Sequence, residues 1–432
     1  MKRIYAADIT PKLDNKEVFL QGWIHEIRDL SKVKFIILRD DSGLIQLIIK
    51  DKSDIIKLPK ESIIEVSGIV IANKQAPNGV EVIIKKYKVL SEAEQNLPIQ
   101  VVEKGKIETN LAKRLDFRSI DLRKPKVHAI FKIQAALVEG MQEYLQKENF
   151  TQVFTPCIMG TASESGAEVF PIVYYNKEAF LRQDPQLHRQ LTILGGIEKL
   201  YDIGPSWRAE VSHTTKHLSE HRTCAVEFAF IKDEIDVERV EEQLIISALK
   251  KVKEKCNKEL KLFNIDITIP KAPFPELRFP EIYDILKKLG KKINYGDDID
   301  SEAEKLLNEY VKKKYKSEFY FINRFPSKIK PFYVMKVDET PEWARSIDLY
   351  YNGLELSSGG QREHRYGKLM QHVKEKGMKL ENIEWFIKFF KYGVPSHGGF
   401  AIGIERLTQM LLNLENVREA VLFPRDPERL TP

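Results

Sequence analysis

Arg208 and Glu210 stand two residues apart in YDIGPSWRAEVSHTTKHLSEHRTCAVEFAF, which runs from Tyr201 to Phe230. On a β-strand that spacing puts a cation and an anion on one face. Val211 to Lys216 carries no Gly or Pro and little apolar content, which predicts a polar loop. A second β-run then returns through His217, Glu220 and Glu227 to Phe228 and Phe230. Such a hairpin beside a basic loop suits a triphosphate with a base attached. Alone, an Arg-x-Glu reads better as a surface ion pair on an ordinary hairpin. Three further clusters carry related chemistry. Gln183, Gln186 and Arg189 gather where an apolar helix begins; helix N-termini favour anions, and Arg can grip a carboxylate with two parallel bonds. Glu355, Ser358, Gly359, Gly360 and Arg362 put a carboxylate, a hydroxyl, two glycines and a guanidinium within eight positions. The first two offer hard oxygens to Mg²⁺, and Arg362 offers a clamp for a carboxylate. His397, Gly398, Gly399 and Gly403 allow close backbone approach to a ligand, with Arg406 in the first turn of the helix that follows.

The elements that must hold these residues read as α+β. A chain of 432 residues is too long for one ordinary core and predicts two or three domains. An apolar fraction of 43% fits a soluble globular protein, and a net charge of +6 fits a polyanionic partner without requiring one. Cys157, Cys224 and Cys256 form no zinc spacing and no CxxC pair, as expected of a reduced, cytoplasmic protein. Neither a signal peptide nor a membrane span is expected. Val18–Ile24, Lys34–Leu38, Gly43–Ile49, Ser62–Ile71 and Val80–Leu90 have strand character with turn signals between them, and predict a small closed barrel over residues 1–100. Phe35, beside Lys32 and Lys34, and Gln46 on the next strand are the candidates for stacking on a base and reading its edge, although barrel statistics alone place Phe35 in the core. Residues 101–126 read as a connector. Val127–Lys147 predicts an amphipathic helix, followed by FTQVFTPCI as a strand ending in Pro156. Ile235–Leu260 reads as a scaffold helix. Ile347–Leu356 reads as one strand with Asp348 and Glu355 at its ends, turning tightly at Ser357–Gly360. Residues 127–432 form the main domain, with an inserted, solvated region around 261–330.

Taken together, the stretches resemble class II aminoacyl-tRNA synthetases. Arg208-Ala209-Glu210 resembles the signature of motif 2, the helix–strand unit at Pro156 that of motif 1, and HGGFAIGIERLTQMLLNL that of motif 3. The barrel segment FIILRDDSGLIQ is similar to the anticodon-binding OB-fold of the aspartyl, asparaginyl and lysyl subgroup. GLELSSGGQREH and the QDPQ segment are similar to the aspartyl enzymes of archaea and eukaryotes. The resemblance implies an antiparallel catalytic sheet flanked by helices, and a homodimer through the Pro156 motif. It implies ATP contacts from Arg208, Ala209, Glu210, Lys216, His217, Leu218, Glu355, Gly403, Ile404, Glu405 and Arg406. Aspartate contacts follow from Glu164, Gln186, Leu187, His188, Arg189, Arg208, Ser358 and Arg362, and Mg²⁺ at Glu355 and Ser358. Arg208, Glu210 and Arg406 are the implied catalytic groups. His25, Phe35, Gln46, Pro77 and Glu81 are the implied anticodon contacts. The implied partners are L-aspartate and tRNA(Asp).

Four positions depart from the family pattern. Asp184 stands where Ser is usual, Arg189 where Lys is usual, Lys216 where Arg is usual, and Ala225 where an Asp usually meets the substrate's amino group. Asp184 is the candidate to compensate for Ala225. The His25/Pro77 pair is similar to the relaxed type that also charges tRNA(Asn). An asparaginyl-type or otherwise altered ligase is the alternative enzyme reading, and a non-catalytic RNA-binding paralog is the alternative of another class.

Overall fold

The structure, a computed structural model, describes residues 2–30, 33–49, 54–103, 109–160, 169–209 and 214–432. The chain divides into two compact units, residues 1–128 with Pro432, and residues 129–431.

In the first unit, β1 (Glu17–Leu30), β2 (Val33–Asp40), β3 (Gly43–Ile49), β4 (Ile63–Ala72) and β5 (Val80–Ser91) close a barrel in the order β1-β2-β3-β5-β4, the five strands expected. Alternation decides what is inside. Val18, Leu20, Ile24, Ile36, Leu38, Ile45, Leu47, Val66 and Val82 fill the interior, so the residues between them face outward. The expected connector is ordered where it is described. It forms α1 (Leu111–Asp116) and α2 (Arg118–Asp121), held by a fully buried Arg118–Asp121 pair at 2.7 Å that Arg114 and Lys124 extend.

Next comes α3 (Pro125–Lys147), which begins two residues before the predicted helix and lies mostly in the second unit. Ile130, Ile133, Leu137, Met141 and Leu145 line its buried stripe. Then come β6 (Thr151–Gln152), β7 (Ile158–Met159), β8 (Pro171–Tyr174), β9 (Lys177–Leu181), α4 (Gln186–Leu194), β10 (Lys199–Trp207), β11 (Glu220–Ala229) and α5 (Glu234–Lys255). The single strand expected to end at Pro156 is therefore two short pieces in different sheets, because Pro156 has no N–H to contribute to a ladder. The scaffold helix expected to reach Leu260 stops at Lys255, and α6 (Asn257–Lys261) follows a break at Cys256. The region around 261–330 supplies β12 (Glu276–Arg278), α7 (Glu281–Lys288), α8 (Ser301–Tyr315) and β13 (Phe319–Asn323). The chain finishes with β14 (Ser346–Tyr351), β15 (Leu354–Gln361), α9 (Tyr366–Glu375), α10 (Leu380–Ile387), β16 (His397–Gly403) and α11 (Ile404–Leu411).

Eight strands form one sheet in the order β12-β13-β14-β15-β16-β11-β10-β6. It is antiparallel through its centre and parallel only at its margins, β12 with β13 and β10 with β6. One face packs on α3 and α5. Gly140 lets those helices approach, since a Cβ there would lie 2.8 Å from Ala248 Cα. Among the described residues, no helix is long and apolar enough to cross a membrane.

Two expectations for the 347–362 stretch need correcting. Ile347–Leu356 is a hairpin, turned at Asn352 and Gly353 with φ of 50° and 81°, the left-handed pair that a two-residue turn requires. Asp348 and Glu355 consequently sit on neighbouring strands. Ser357–Gly360 does not turn either. It runs straight through β15 against Gly399–Ile402 of β16. The glycines serve this close pairing: a Cβ on Gly359 would sit 2.5 Å from Gly399 O, and one on Gly399 would sit 2.0 Å from Val226 O. Gly399→Ala should therefore cost about 3 kcal/mol or more. Gly367→Ala, where a Cβ meets nothing within 4 Å, should stay within about 0.5 kcal/mol of the parent. Urea denaturation midpoints of the two variants test this; equal midpoints would show that the strands can spread.

Candidate active site

The exposed face of the sheet floors a cavity of about 290 Å³. Pairing fixes which side chains reach it. One transverse row runs Asp202, Ala225, Ala401, Ser358, Asp348 across β10, β11, β16, β15 and β14. Alternation then places Ser206, His221, Thr223 and Glu227 on the same face as Ala225. A register shift between Leu349 and Tyr350 sets Leu349 against Ser357 and Tyr350 against Glu355, leaving Leu356 as an extra residue. Glu355 and Ser358 stand three apart and would face opposite ways on a regular strand; the bulge brings both to the cavity.

Arg208, from the end of β10, Glu355, from β15, and Arg406, from the first turn of α11, all line this one cavity. Lys216, His217, Leu218, Gly403 and Glu405 join them, as do Gln186, Ser358 and Arg362. The chain returns to the site through backbone bonds, Arg208 N–H to Ser219 O at 3.0 Å and Val417 N–H to Thr215 O at 2.9 Å. Arg406 Nη1 donates to Glu355 O at 3.0 Å, which ties α11 to β15. Burial, with the charge of Asp348 adding to it, pushes the Glu355 carboxyl up to about 7, so a nearby cation would be welcome there. Asp348 is itself paired with Lys330 at 2.8 Å.

At the other end, Arg362 is buried and fully engaged on two sides. Its Nε donates to Glu227 Oε1 at 3.0 Å, and its Nη2 to Gln186 Oε1 at 3.1 Å and Gly399 O at 3.0 Å. Tyr333 lies 5.7 Å from the guanidinium. Arg189 grips Asp184 with both Nη atoms, at 2.9 and 2.6 Å, and reaches Gln186 Oε1 at 2.8 Å.

Several expected site residues are placed elsewhere. Glu164 and Glu210 lie outside the described residues. Ile404 and Leu187 are buried in apolar clusters on either side of the site. The reason is helical geometry, which turns them away from the residues beside them. His188 faces outward from the cavity and packs on Trp385, ring centroids 5.2 Å apart. Ala209 does not line the cavity, and Arg189 reaches it only through Asp184 and Gln186. The glycines of His397–Gly399 approach neighbouring strands and the Glu227 carboxylate, which a Cβ on Gly399 would meet at 2.5 Å. Ser206, His221, Thr223, Lys330, Tyr333 and Ala401 also line the cavity, and sequence reasoning passed them over. For His221 the signal was available: it alternates with Thr223 and Ala225 on the strand after the loop. Burial and the charges of Arg208 and Arg406 push its imidazole down to about 4, so it is neutral near pH 7.

The barrel carries a second candidate surface. Phe35 is half-buried and outside the core cluster. It pairs with Ile48 on β3, whose parallel neighbour on β5 is Ile83. Gln46 Nε2 donates to Glu81 Oε2 at 3.0 Å, and Asn73 Nδ2 to Glu81 Oε1 at 2.9 Å. Pro77 is exposed above them. His25 sits at a register shift in β1. Arg39 pairs with buried Glu61 at 2.6 Å and donates from Nη1 to His25 Nδ1 at 2.8 Å. Arginine can only donate, so Nδ1 accepts and the neutral ring presents Nε2–H. Burial and Arg39 both lower the pKa of this ring.

The fold is that of a class II tRNA synthetase with an OB-fold domain. Residues 110–427 match the family of class II tRNA synthetases (D, K and N), and residues 18–90 match the OB-fold nucleic acid binding domain; the chain belongs to that synthetase family. Within it, the chain is 44% identical over 435 residues to the aspartate–tRNA(Asp) ligase of Pyrococcus furiosus, covering 99% of each. It is 41% identical over 439 residues to the aspartate–tRNA(Asp/Asn) ligase of Methanopyrus kandleri, covering 100% of each. Among solved structures it superposes on asparaginyl-tRNA synthetase from Pyrococcus horikoshii complexed with asparaginyl-adenylate, with a TM-score of 0.93, 32% identity and both chains fully covered.

The histidine behind the site sets a pH limit. His397 is fully buried, and its Nδ1 lies 2.9 Å from Pro395 O. Its Nε2 lies 3.1 Å from Gln190 Oε1. Burial and the Arg362 charge push His397 down to about 4. The unfolded chain takes this proton near 6.5, so between about 6.5 and 4 it binds more protons than the folded one. Stability is therefore complete above that window and falls as pH drops through it, by about 1.4 kcal/mol per pH unit for one such group. Unfolding free energies of the parent and His397→Asn across the window should differ in slope by about one proton; parallel profiles would mean that the folded protein accommodates the charge.

Proposed function

We propose that the chain is an aspartate–tRNA ligase, which condenses L-aspartate with ATP and passes the aspartyl group to the 3′ end of tRNA(Asp). The observation that carries the reading is the convergence of Arg208, Glu355, Arg362 and Arg406 on one cavity. The aspartate α-carboxylate attacks the α-phosphorus, the bond to pyrophosphate breaks, and pyrophosphate leaves. Such a transfer depends on positioning and charge rather than covalent help. Arg208 faces the α-phosphate and Arg406 the γ-phosphate of a folded nucleotide, and neutral His221, which lines the same cavity, offers an uncharged ring to the base. Arg362, held on two sides by Glu227, Gln186 and Gly399, presents its remaining edge to the substrate's side-chain carboxylate. Asparagine would offer that edge a neutral amide in place of the carboxylate and so give up a charge-assisted hydrogen bond.

Glu355 and Ser358 would hold Mg²⁺. They supply two hard oxygens, and Glu355, its carboxyl pushed up to about 7, gains from a cation. No cluster of three His, Cys, Asp or Glu side chains forms a metal cage among the described residues, which fits an ion that completes its shell with phosphate oxygens and water. When bound, it neutralises phosphate charge.

On the barrel, Phe35, Gln46 and Glu81 are the base-reading group, and His25 with Pro77 meets the third anticodon base. That base is C in tRNA(Asp) and U in tRNA(Asn). Both carry the O2 acceptor, which a lone Nε2–H donor satisfies equally. We therefore extend the activity to tRNA(Asn). A homodimer fits the exposed Phe154, Val173 and Tyr175, each at least 86% accessible. A cytoplasmic setting fits three free thiols.

ATP–pyrophosphate exchange against a panel of amino acids should proceed with L-aspartate alone; exchange with L-asparagine instead would overturn the assignment. Arg406→Ala should slow that exchange roughly 100-fold or more, while the fold is retained. Aminoacylation of tRNA(Asp) and tRNA(Asn) transcripts should both be measurable, and no product on the second would remove the extended specificity.

A further inference from the structure

Two side-chain contacts fix β15 and its end against the rest of the second unit, and they lie on opposite faces of the sheet. Arg362, just past the strand, is held on the cavity side by Glu227 of β11. Ser357 is held on the helix side, where its Oγ donates to Oε1 of Glu241 on α5. Both members of the second contact are out of water, Glu241 being 0% and Ser357 3% exposed. Among the described residues, Ser357 is the one side chain between Leu354 and Gly360 that hydrogen-bonds another part of the protein.

That bond falls at the bulge. Leu356 and Ser357 stand between Glu355 and Ser358, and both turn away from the cavity. Leu356 joins the core that α3 and α5 build, and Ser357 reaches Glu241. Two successive residues on the helix side are what allow the residues flanking them to share the other side. Packing holds Leu356, but apolar contact has no direction. The Ser357 bond does have direction, and a slip of the strand would leave a buried hydroxyl without its partner. The helix that supplies the partner is itself well anchored. It starts shortly after β11, and along one side it presents Glu234 to Arg324, Glu238 to Asn323 at 3.0 Å, Glu241 to Ser357 and Glu242 to the Phe274 N–H at 2.6 Å.

We infer that Glu241 is a positioning residue for the adenylation site: through Ser357 it sets the bulge that turns Glu355 and Ser358 to one face. The inference rests on the nucleotide reading of the cavity. Glu241 itself lies beneath the sheet and meets no substrate. Burial pushes its carboxyl up to about 8, so near pH 7 it is a neutral acid. Glutamine has the same shape, no charge and the same acceptor oxygen, and therefore substitutes for it.

Glu241→Leu and Ser357→Ala each remove the bond, and Glu241→Gln keeps it. In the full-length protein, ATP–pyrophosphate exchange with L-aspartate should lose roughly 10- to 100-fold in kcat in the first two variants. Their aspartate KM should stay within about threefold of the parent, because Arg362 keeps its hold on Glu227. Glu241→Gln should match the parent in both constants. A second readout needs no turnover: Mn²⁺ affinity in the presence of α,β-methylene-ATP, followed by electron paramagnetic resonance, should weaken about 10-fold in Glu241→Leu and Ser357→Ala and hold in Glu241→Gln. Ser357→Ala removes a single oxygen and decides the matter if Glu241→Leu does not fold. Parent-like kcat and Mn²⁺ affinity in Ser357→Ala would overturn the inference, and so would a Glu241→Gln variant as impaired as Glu241→Leu. A parent that binds no Mn²⁺–nucleotide would sink the nucleotide reading, and the inference with it. A parent that exchanges asparagine in place of aspartate would overturn only the amino-acid assignment, and the same variants are then compared with asparagine.

Discussion

The buried contact between Arg362 and Glu227 is the constraint around which the second unit is built. It joins the end of β15 to the middle of β11, takes in Gln186 at the start of α4, and reaches Gly399 of β16. Taking two charges out of water is costly and is offset only when their hydrogen bonds are satisfied. Here both Glu227 oxygens have donors, and Arg362 has acceptors at Nε and Nη2. The arrangement contributes geometry more than stability. It fixes where a guanidinium edge faces the cavity, and it does so from three strands and a helix that are distant in sequence.

That pair dictates the glycines around it. The Glu227 carboxylate lies where a side chain on Gly399 would be, and Gly359 and Gly360 allow β15 to run close against β16 and β14. Behind the same strands, on the α5 side, Ser357 bonds Glu241, a buried carboxyl pushed up to about 8 by burial. A protonated glutamate there can donate as well as accept, which avoids an unpaired charge under the sheet. The strand is thus held on one face by a neutral acid and on the other by a charged site. Its Leu356 bulge is the joint between them.

Much of this was legible in the sequence. The barrel strands could be read because alternation and turn residues agree there. Arg208, Glu355, Arg362 and Arg406 could be picked out because the stretches that carry them resemble synthetase motifs; as residue types alone they are unremarkable. What was not legible is register. Nothing in GLELSSGGQREH shows that Leu356 bulges, which is what lets Glu355 and Ser358, three apart on one strand, both reach the cavity. Asn352-Gly353 was a hairpin signal that a single-strand reading overrode. Leu187 and Ile404 are contacts that the resemblance implied and that the structure places in apolar clusters instead. On a helix, adjacent residues point about 100° apart, and the apolar one turns to the core. His221 shares a strand face with Thr223 and Ala225, and that alternation was the signal for it.

The placement of Arg189 shows why residue type alone is a poor guide to role. A guanidinium next to a carboxylate-binding pocket invites assignment as a clamp. Yet a clamp must keep donors facing the cavity, and Arg189 has its two Nη atoms turned onto Asp184 and Gln186. Arg362 differs in one respect: it lines the cavity itself, with its protein partners at Nε and Nη2. Two arginines in the same shell thus differ in reach, one lining the cavity and the other turned onto Asp184 and Gln186. The difference follows from which nitrogen atoms the protein itself consumes.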